Sequence, residues 1–228
     1  MIRNEYDQIE SYMLSQMQDS AHDKHHVYRV LNSAVDIYEH EDETPVDFEI
    51  LVAACLLHDI GREKQFSDSK KFNHAVVGGE MAYEFLISLG WDRKAGHVRE
   101  CIASHRFRGK NRPESIEAKI LFDADKLEAS GAIGIARTLI YGGQVGEPLY
   151  IMDEDENIII DGGGADITSF FQEYNFKLKM IYDSFYTKRA KEIAMKRQKT
   201  AIDFYNRIYD EVNMNYVNGM KNHIYLLN

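Results

Sequence analysis

The residues best suited to chemistry lie where apolar stretches of the sequence end. Residues 51–61 have the sequence LVAACLLHDIG, an apolar run that finishes on the adjacent pair His58-Asp59. Burying a charged pair at the end of such a run is costly unless something neutralises it, and a bound cation would do so. Further imidazoles and one carboxylate stand at the edges of other apolar helical stretches: His26, His74, His105 and Asp125.

These side chains predict a metal site of a particular kind. Imidazole and carboxylate ligands without thiolate suit a borderline or hard divalent ion, a class that includes Mn²⁺, Mg²⁺, Ni²⁺, Fe²⁺ and Zn²⁺. A lone histidine on an apolar helix face is more often a satisfied core residue than a ligand. A His-Asp pair also occurs by chance, and we interpret His22-Asp23 as such a pair. What favours a metal site is the repetition, since several apolar stretches each finish on a potential ligand.

Helices are the elements that must position these side chains, since apolar residues recur at helical spacing through most of the chain. Several helices that each contribute one polar group to a common centre form the metal sites of helical bundles. The sequence predicts that residues 22–30 lead into one helix and that a next helix starts with Thr44 as its N-cap and Pro45 in its first position. It then predicts a helix capped by Asn73 that ends at Gly90, a helix capped by Asp92 and a helix that Pro113 opens. A long helix starts at Phe170, and helical spacing continues to about residue 214.

Residues 141–169 interrupt the helical pattern. They hold six of the fifteen glycines and the acidic run 153–156. The apolar stretches on either side of that run, 149–152 and 157–160, predict a small β-hairpin or a loop. We predict a mobile surface excursion here, which could cover an active site. The whole chain, 1–228, is interpreted as one all-α domain with core motifs in 22–140, this excursion in 141–169 and C-terminal helices in 170–214.

The composition excludes several classes of partner. The formal net charge of −10 leaves no broad basic surface, so a nucleic acid polymer is a poor candidate. The N-terminus lacks the apolar core of a signal peptide, and no apolar run approaches the length of a membrane span. Cys55 and Cys101 lie within apolar helical patterns, where two buried thiols are favoured over a disulfide. We therefore expect a cytoplasmic protein that contacts no membrane.

Three local contexts carry a resemblance to a known family. They are HDKHHVYRV at 22–30, LLHDIG at 56–61 and DADKLEASGAIGIAR at 123–137. With them, the chain resembles the HD-domain superfamily of metal-dependent phosphohydrolases, specifically its short bacterial branch of the YedJ/YpgQ type, over nearly its whole length. The resemblance implies an all-α helical bundle. It also implies a divalent metal ion ligated by His26, His58, Asp59 and Asp125.

The same resemblance gives two alternatives for His74 and His105. In binuclear relatives the matching histidines bind a second metal, whereas in mononuclear relatives they approach the substrate phosphate. Some binuclear members have two consecutive histidines, but here Arg106 follows His105. We therefore favour one metal, with His74 and His105 as phosphate contacts.

Three further candidates, Glu63, Arg62 and Lys126, complete the site, and Asp59 has a second possible role. Asp59 could take a proton from the attacking water, and Glu63, four residues later, could position that water or be a solvated charge. Arg62 and Lys126 are candidate phosphate partners or ordinary ion-pairing residues. Asp123, two residues before Asp125, should point elsewhere on its helix and is interpreted as structural.

The function expected from these observations is metal-dependent phosphate-ester hydrolysis. The substrate would be a nucleotide or another small phosphate ester, with (d)NTP pyrophosphohydrolysis as one activity that the resemblance implies. Two alternatives remain: a non-catalytic, nucleotide-binding regulatory HD module, and a di-iron oxygenase on the same scaffold. The chain is expected to act as a monomer or homodimer.

Overall fold

The computed structural model describes residues 1–16, 24–62, 73–106, 111–162 and 169–219, the last range without the side chains of 216–218. Within these ranges there are nine α-helices and no β-strand, which confirms the all-α prediction. A 3₁₀ helix (Leu178–Asp183) and a π-helical segment (Asn213–Asn218) accompany them. The α-helices are α1 (Arg3–Gln16), α2 (Lys24–Glu39), α3 (Phe48–Leu57), α4 (His74–Ser88), α5 (Ala95–Ser104), α6 (Ile116–Leu127), α7 (Gly131–Val145), α8 (Phe170–Phe176) and α9 (Lys188–Val212).

The chain forms two compact units, of which the first comprises Met1–Glu128 and Tyr186–Ala190. Helix α3 lies at the centre of this unit and contacts α1, α2, α4, α5 and α6. Every residue from Ile50 to Leu57 is buried, so α3 is apolar on all its faces, as a central helix must be. The prediction that the whole chain is a single domain stays a prediction.

Two of the predicted helix starts in this unit are wrong. In each case a side chain further along the sequence accepts the hydrogen bonds of the first backbone N–H groups of the helix. Asp47, rather than Thr44, is the N-cap of α3, and its carboxylate accepts two N–H groups of the first turn at 3.1 and 3.3 Å. Ser115 is the N-cap of α6 and accepts one N–H at 3.1 Å, so Pro113 lies before the helix. In both cases the capping oxygen decides where the helix begins.

The predictions for α4 and α5 had different outcomes. Asn73 caps α4 with its side-chain oxygen, and the left-handed Gly90 (φ 82°) follows the helix end; both were predicted. Asp92 is not a cap. The carbonyl of Trp91 already accepts the N–H of Lys94 and that of Ala95, so the chain turns there and α5 starts only at Ala95.

Asp123 is structural, as predicted. Its buried carboxylate accepts the backbone N–H groups of Tyr186 and Thr187 at 2.7–3.1 Å, together with the Thr187 hydroxyl at 2.7 Å. The helical spacing predicted from Phe170 to about residue 214 is divided among three separate elements, α8, the 3₁₀ helix and α9. The non-helical segment that Asp123 holds is one reason for the break.

The second unit comprises Ala129–Phe185 and Lys191–Asn228. Its core is rich in aromatic rings, with Tyr174 and Tyr205 stacked at a centroid distance of 4.0 Å. The predicted excursion starts late, since α7 continues to Val145 and ends at the left-handed Gly146. Of the predicted hairpin, the described residues retain one isolated antiparallel bridge, between Met152 and Ile158. Residues 163–168 of the excursion lie outside the described part, and its mobility stays a prediction.

Two predictions from composition can be compared with the structure. Both cysteines are buried free thiols, as predicted, and burial raises the pKa of Cys101 to about 12. Among the described helices, none combines the length and the apolar character that a membrane span requires.

Candidate metal centre

The pair His58-Asp59 lies at the buried C-terminal end of α3. His58 is the C-cap of the helix, and Asp59 follows in a tight turn; they are 0% and 3% exposed. The turn packs closely on α4 through Gly61. A Cβ at Gly61 would come within 2.3 Å of the His74 carbonyl oxygen and 2.6 Å of the Gly78 amide nitrogen. Glycine is therefore required for Asp59 to lie this close to the start of α4.

His26 of α2 and Asp125 of α6 meet His58 on one side of this turn. We call His26, His58 and Asp125 the first trio; one ligand atom of each lies within 4.8 Å of the other two. The His26 Nε2 atom is 3.3 Å from Asp125 Oδ1 and 3.4 Å from His58 Nε2. The central helix thus supplies one ligand atom, and two neighbouring helices supply the others.

The hydrogen bonds of the two imidazoles indicate which ring nitrogen carries the proton. His58 Nδ1 lies 2.7 Å from the Cys55 carbonyl oxygen, and His26 Nδ1 lies 3.3 Å from a Glu128 carboxylate oxygen. Both partners are acceptors, so in the neutral rings Nδ1 is the donor and Nε2 keeps its lone pair. When both rings are neutral, the two Nε2 lone pairs face each other at 3.4 Å. A cation between them would turn this repulsion into coordination.

Asp59 forms a second trio with His74 and His105, whose ligand atoms also lie within 4.8 Å of one another. Its Oδ1 is 3.9 Å from His74 Nε2 and 3.7 Å from His105 Nε2. Its Oδ2 instead faces the first trio, 3.5 Å from His26 Nε2 and 3.6 Å from His58 Nε2. One carboxylate thus presents one oxygen to each trio.

Two arginines adjoin the second trio. Arg62 Nε lies 2.6 Å from Asp59 Oδ2, and Arg106 Nη1 lies 3.3 Å from each ring nitrogen of His74. The His105 Nδ1 atom is 2.6 Å from the Ile102 carbonyl oxygen, which leaves the Nε2 lone pair of a neutral ring directed toward Asp59. The second trio therefore combines possible ligand atoms with two guanidinium charges.

The residues present fit a divalent ion. Both carboxylate oxygens of Asp59 are buried, and neither accepts a hydrogen bond from the residues that the structure describes, although Arg62 and several imidazoles surround them. A buried carboxylate without hydrogen bonds is costly unless a cation compensates it. The converging atoms are imidazole nitrogens and carboxylate oxygens, the donor set of borderline and hard divalent ions.

The electrostatics of the centre keep its carboxylates ionised. Burial acts to raise the pKa of Asp59, but His58 and Arg62 hold that pKa well below its usual range. The pKa of Asp125 is likewise lowered against its burial, chiefly by His26. Both acids can therefore act as anionic ligands.

The three histidines with shifted pKa values differ. Burial lowers the pKa of His58 to about 4, and burial with the nearby Arg62 and Arg106 lowers that of His74 to about 2. Burial also opposes the charged form of His26, yet its contacts with the carboxylates of Asp125, Asp59 and Glu128 raise its pKa to about 10. Anions thus concentrate around His26 and cations around His74.

The structure brings seven of the nine residues predicted for the site into this centre: His26, His58, Asp59, Arg62, His74, His105 and Asp125. Lys126 follows Asp125 on α6, and its Nζ lies 4.5 Å from the centroid of the Phe122 ring. Glu63 lies outside the described residues. The roles of all nine stay predictions.

Three residues at or next to the centre were not among the predicted site residues. They are Arg106, which follows His105 directly; Glu128, three residues after Asp125; and Arg29, three residues after His26. Arg29 Nε lies 2.8 Å from the Glu128 carboxylate, so Arg29 reaches the centre only through Glu128. For Glu128 and Arg29 the available signal was the spacing of three, which places side chains on the same helix face as a predicted ligand. Arg106 had no such signal.

The chain is similar to known proteins in both sequence and fold. The family model described as HD domain matches residues 24–130. YpgQ of Bacillus subtilis (strain 168) is 30% identical over 213 residues, covering 90% of this chain and 93% of YpgQ. A crystal structure of YpgQ in complex with ADP is similar with a TM-score of 0.69 and 28% identity, covering 91% of this chain and 97% of that one. The crystal structure of a predicted HD superfamily hydrolase from an uncultured Thermotogales bacterium has a TM-score of 0.59 and 28% identity, with 92% of each chain covered.

Proposed function

The chain belongs to the HD-domain superfamily, in the branch that includes YpgQ, and from this premise we propose that it is a metal-dependent phosphohydrolase acting on a nucleotide or another small phosphate ester. The observation that carries the proposal is the buried centre itself. Imidazole nitrogens and two ionised carboxylates converge there, and the Asp59 oxygens accept no hydrogen bond from the described residues.

In this proposal His26, His58, Asp59 and Asp125 hold one divalent ion. When bound, such an ion supplies Lewis-acid activation of a water molecule and of the phosphoryl group. His58 and His26 present their Nε2 atoms, because Cys55 and Glu128 occupy the Nδ1 sides. Asp59 Oδ1, which faces away from the first trio, can accept the proton of the attacking water. Glu63 stays a candidate for positioning that water.

The second trio and its arginines bind the substrate phosphate in this proposal. A phosphate brings negative charge into a centre that already holds two carboxylates, so cations must meet it locally. Arg62 and Arg106 are in place to do so at the Asp59–His74 side, and Lys126 remains a further candidate. His74 and His105 complete this side as phosphate contacts.

One observation favours an alternative for the same residues. His105 Nδ1 is occupied by the Ile102 carbonyl, so a neutral His105 offers a lone pair rather than a proton. Phosphate contact through Nε2 then requires the imidazolium form, whereas a second metal ion would accept the lone pair directly. The two guanidinium groups beside this trio oppose a second cation, which is why we keep the single-ion proposal.

The substrate class rests on charge and on the relatives. A crystal structure of YpgQ contains ADP, which supports a nucleotide for this chain as well. Within that class we propose nucleoside triphosphate pyrophosphohydrolysis as the reaction to test first. The cleavage of an α–β phosphoanhydride bond releases pyrophosphate, whereas monophosphatase action releases phosphate.

A substrate screen tests the proposal. Purified protein would be loaded with Mn²⁺, Mg²⁺ or Ni²⁺ and incubated with nucleoside tri-, di- and monophosphates, with phosphate and pyrophosphate measured separately. We expect hydrolysis that requires the metal and releases pyrophosphate from triphosphates. Nucleotide binding without turnover under every metal would contradict the proposal in favour of a regulatory module. Oxygen consumption and visible absorption by the iron-loaded protein would favour the di-iron oxygenase.

A further inference from the structure

His26 differs from the other inward-facing histidines in what holds its ring. His58 and His105 each direct Nδ1 at the carbonyl oxygen of the residue three positions earlier, at 2.7 and 2.6 Å. The His26 Nδ1 atom instead faces the carboxylate of Glu128 at 3.3 Å. A carbonyl dipole fixes the ring, whereas a carboxylate also places a full negative charge behind it.

Glu128 is placed for this contact by the end of α6. It is the C-cap of that helix, and its backbone N–H donates to the Asp125 carbonyl oxygen at 3.0 Å. One helical turn thus delivers a predicted ligand, Asp125, and the carboxylate that meets another predicted ligand, His26. On α2 the same spacing of three places Arg29 beside His26. Glu128 thus contacts both His26 and Arg29.

Glu128 and Arg29 differ in how deeply their side chains are buried. Glu128 is 5% exposed, while the Arg29 side chain is 41% exposed and reaches the same carboxylate oxygen at 2.8 Å. A carboxylate buried to this degree is costly unless its contacts compensate. Arg29 compensates from the solvent side, and the His26 N–H from the inner side. The Glu128 carboxylate therefore contacts the partly exposed Arg29 guanidinium on one side and the buried His26 ring on the other.

We propose that Glu128 is a positioning residue for the metal site, which fixes His26 with Nε2 directed inward and makes that nitrogen a stronger ligand. Carboxylates behind metal-bound imidazoles have this effect in other metalloproteins, where removing one typically weakens metal binding by roughly 10- to 100-fold. The inference rests on the proposed metal site and adds a residue outside its ligand set. It requires no contact between Glu128 and the substrate.

Metal affinity is the measurement that tests the inference. Mn²⁺ binding would be measured by competition with a chelator, for the unsubstituted protein, Glu128→Ala and Glu128→Gln. We expect Glu128→Ala to raise the Mn²⁺ Kd by about 10- to 100-fold. Glu128→Gln keeps an acceptor oxygen but loses the charge, so its Kd should lie between those of the unsubstituted protein and Glu128→Ala.

Asp123→Asn is the matched control. Asp123 is a buried carboxylate of the same helix, but it holds the backbone of Tyr186 and Thr187 rather than a ligand. Thermal unfolding of the metal-free proteins would be measured alongside. Asp123→Asn should lower Tm and leave the Mn²⁺ Kd within about twofold. Arg29→Met leaves the carboxylate on His26 and should change the Kd by less than about threefold.

The outcomes separate this inference from the proposed function. If the unsubstituted protein binds Mn²⁺ and both Glu128 variants keep its Kd while losing Tm as Asp123→Asn does, Glu128 is only structural and the inference is wrong. If the unsubstituted protein itself binds no divalent ion, the proposed function fails first. Histidine ¹⁵N spectra of the unsubstituted, metal-free protein test the tautomer without any substitution at Glu128. They should show His26 protonated at Nδ1, and a ring protonated only at Nε2 would overturn the inference.

Discussion

The two trios of the buried centre share one carboxylate but differ in the charges around them. In the first trio, His26 contacts three carboxylates, those of Asp59, Asp125 and Glu128. In the second trio, His74 contacts Arg106, and the charge of Arg62 also lowers the pKa of His74, although Arg62 contacts Asp59 through Oδ2, the oxygen that faces the first trio. The pKa values follow this difference, since that of His26 is raised to about 10 and that of His74 is lowered to about 2.

In the proposed function, this difference explains how one centre would serve two ligands of opposite charge. Excess negative charge around His26 favours a cation there, and guanidinium groups around His74 favour an anion. Asp59 belongs to both, with Oδ2 facing the first trio and Oδ1 facing the second. A metal ion and a phosphate bound on the two sides would lie next to each other, as phosphoryl transfer assisted by a metal requires.

The largest effect is expected from removing the shared carboxylate. Asp59→Ala should reduce the metal content from about one divalent ion per chain to nearly none, and hydrolysis should fall below detection, because the charge that both sides use is lost. Metal analysis of the purified protein measures the first effect and product release the second. Asp123→Asn, which alters a buried carboxylate elsewhere on α6, should keep its metal. Full occupancy in Asp59→Ala would remove Asp59 from the ligand set.

The next effect distinguishes the two trios directly. His74→Ala and His105→Ala should each lower turnover by roughly 10- to 1000-fold, the range for one lost electrostatic contact in a transition state, while each protein still holds one metal ion. Single-turnover rates and metal content would be measured on the same samples. A fall from two ions to one in either variant would mean that the second trio binds a metal too, and our single-ion proposal would be wrong.

A smaller effect is expected from Arg106. Arg106→Met removes a guanidinium group beside His74, and a charge-assisted hydrogen bond to phosphate is worth about 1.5–3 kcal/mol, so we expect kcat/KM to fall by about 10- to 100-fold. The Mn²⁺ Kd should stay the same. Arg99, whose guanidinium lies 5.1 Å from the Tyr83 ring centroid, offers a matched control on α5. Equal losses in Arg99→Met and Arg106→Met would show that the effect is unspecific.

An effect on stability, rather than on turnover, is expected at the turn that brings the trios together. Gly61→Ala introduces a Cβ that would lie 2.3 Å from the His74 carbonyl oxygen, so the turn and α4 must move apart. We expect a loss of about 1–3 kcal/mol in the free energy of unfolding, the usual cost of overpacking. Gly96→Ala is the control, since a Cβ there meets nothing within 4 Å and should be neutral or slightly stabilising. Chemical denaturation of the metal-free proteins measures both.

The sequence was informative about the centre because several of its signals are local. An apolar run that ends on His58-Asp59 predicts a buried helix with charged groups at its end, and α3 is that helix. Asn73 as a cap and Gly90 as a helix end depend only on neighbouring backbone groups, and both predictions are confirmed. The helix starts at Thr44 and Pro113 were wrong because several polar residues stood near each start, and the free backbone N–H groups bound a later one.

By itself, then, the sequence determined that this chain is an all-α protein of the HD superfamily, with its imidazoles and carboxylates at the ends of buried helices. The tertiary structure decided how those groups are shared. Glu128 and His26 are 102 residues apart in sequence, and Arg106 and His74 are 32 apart. No rule based on local sequence spacing therefore predicts that a carboxylate contacts His26 and a guanidinium contacts His74. These contacts depend on how α2, α4, α5 and α6 pack around α3, because packing sets the ångström-scale distances on which electrostatic energies depend.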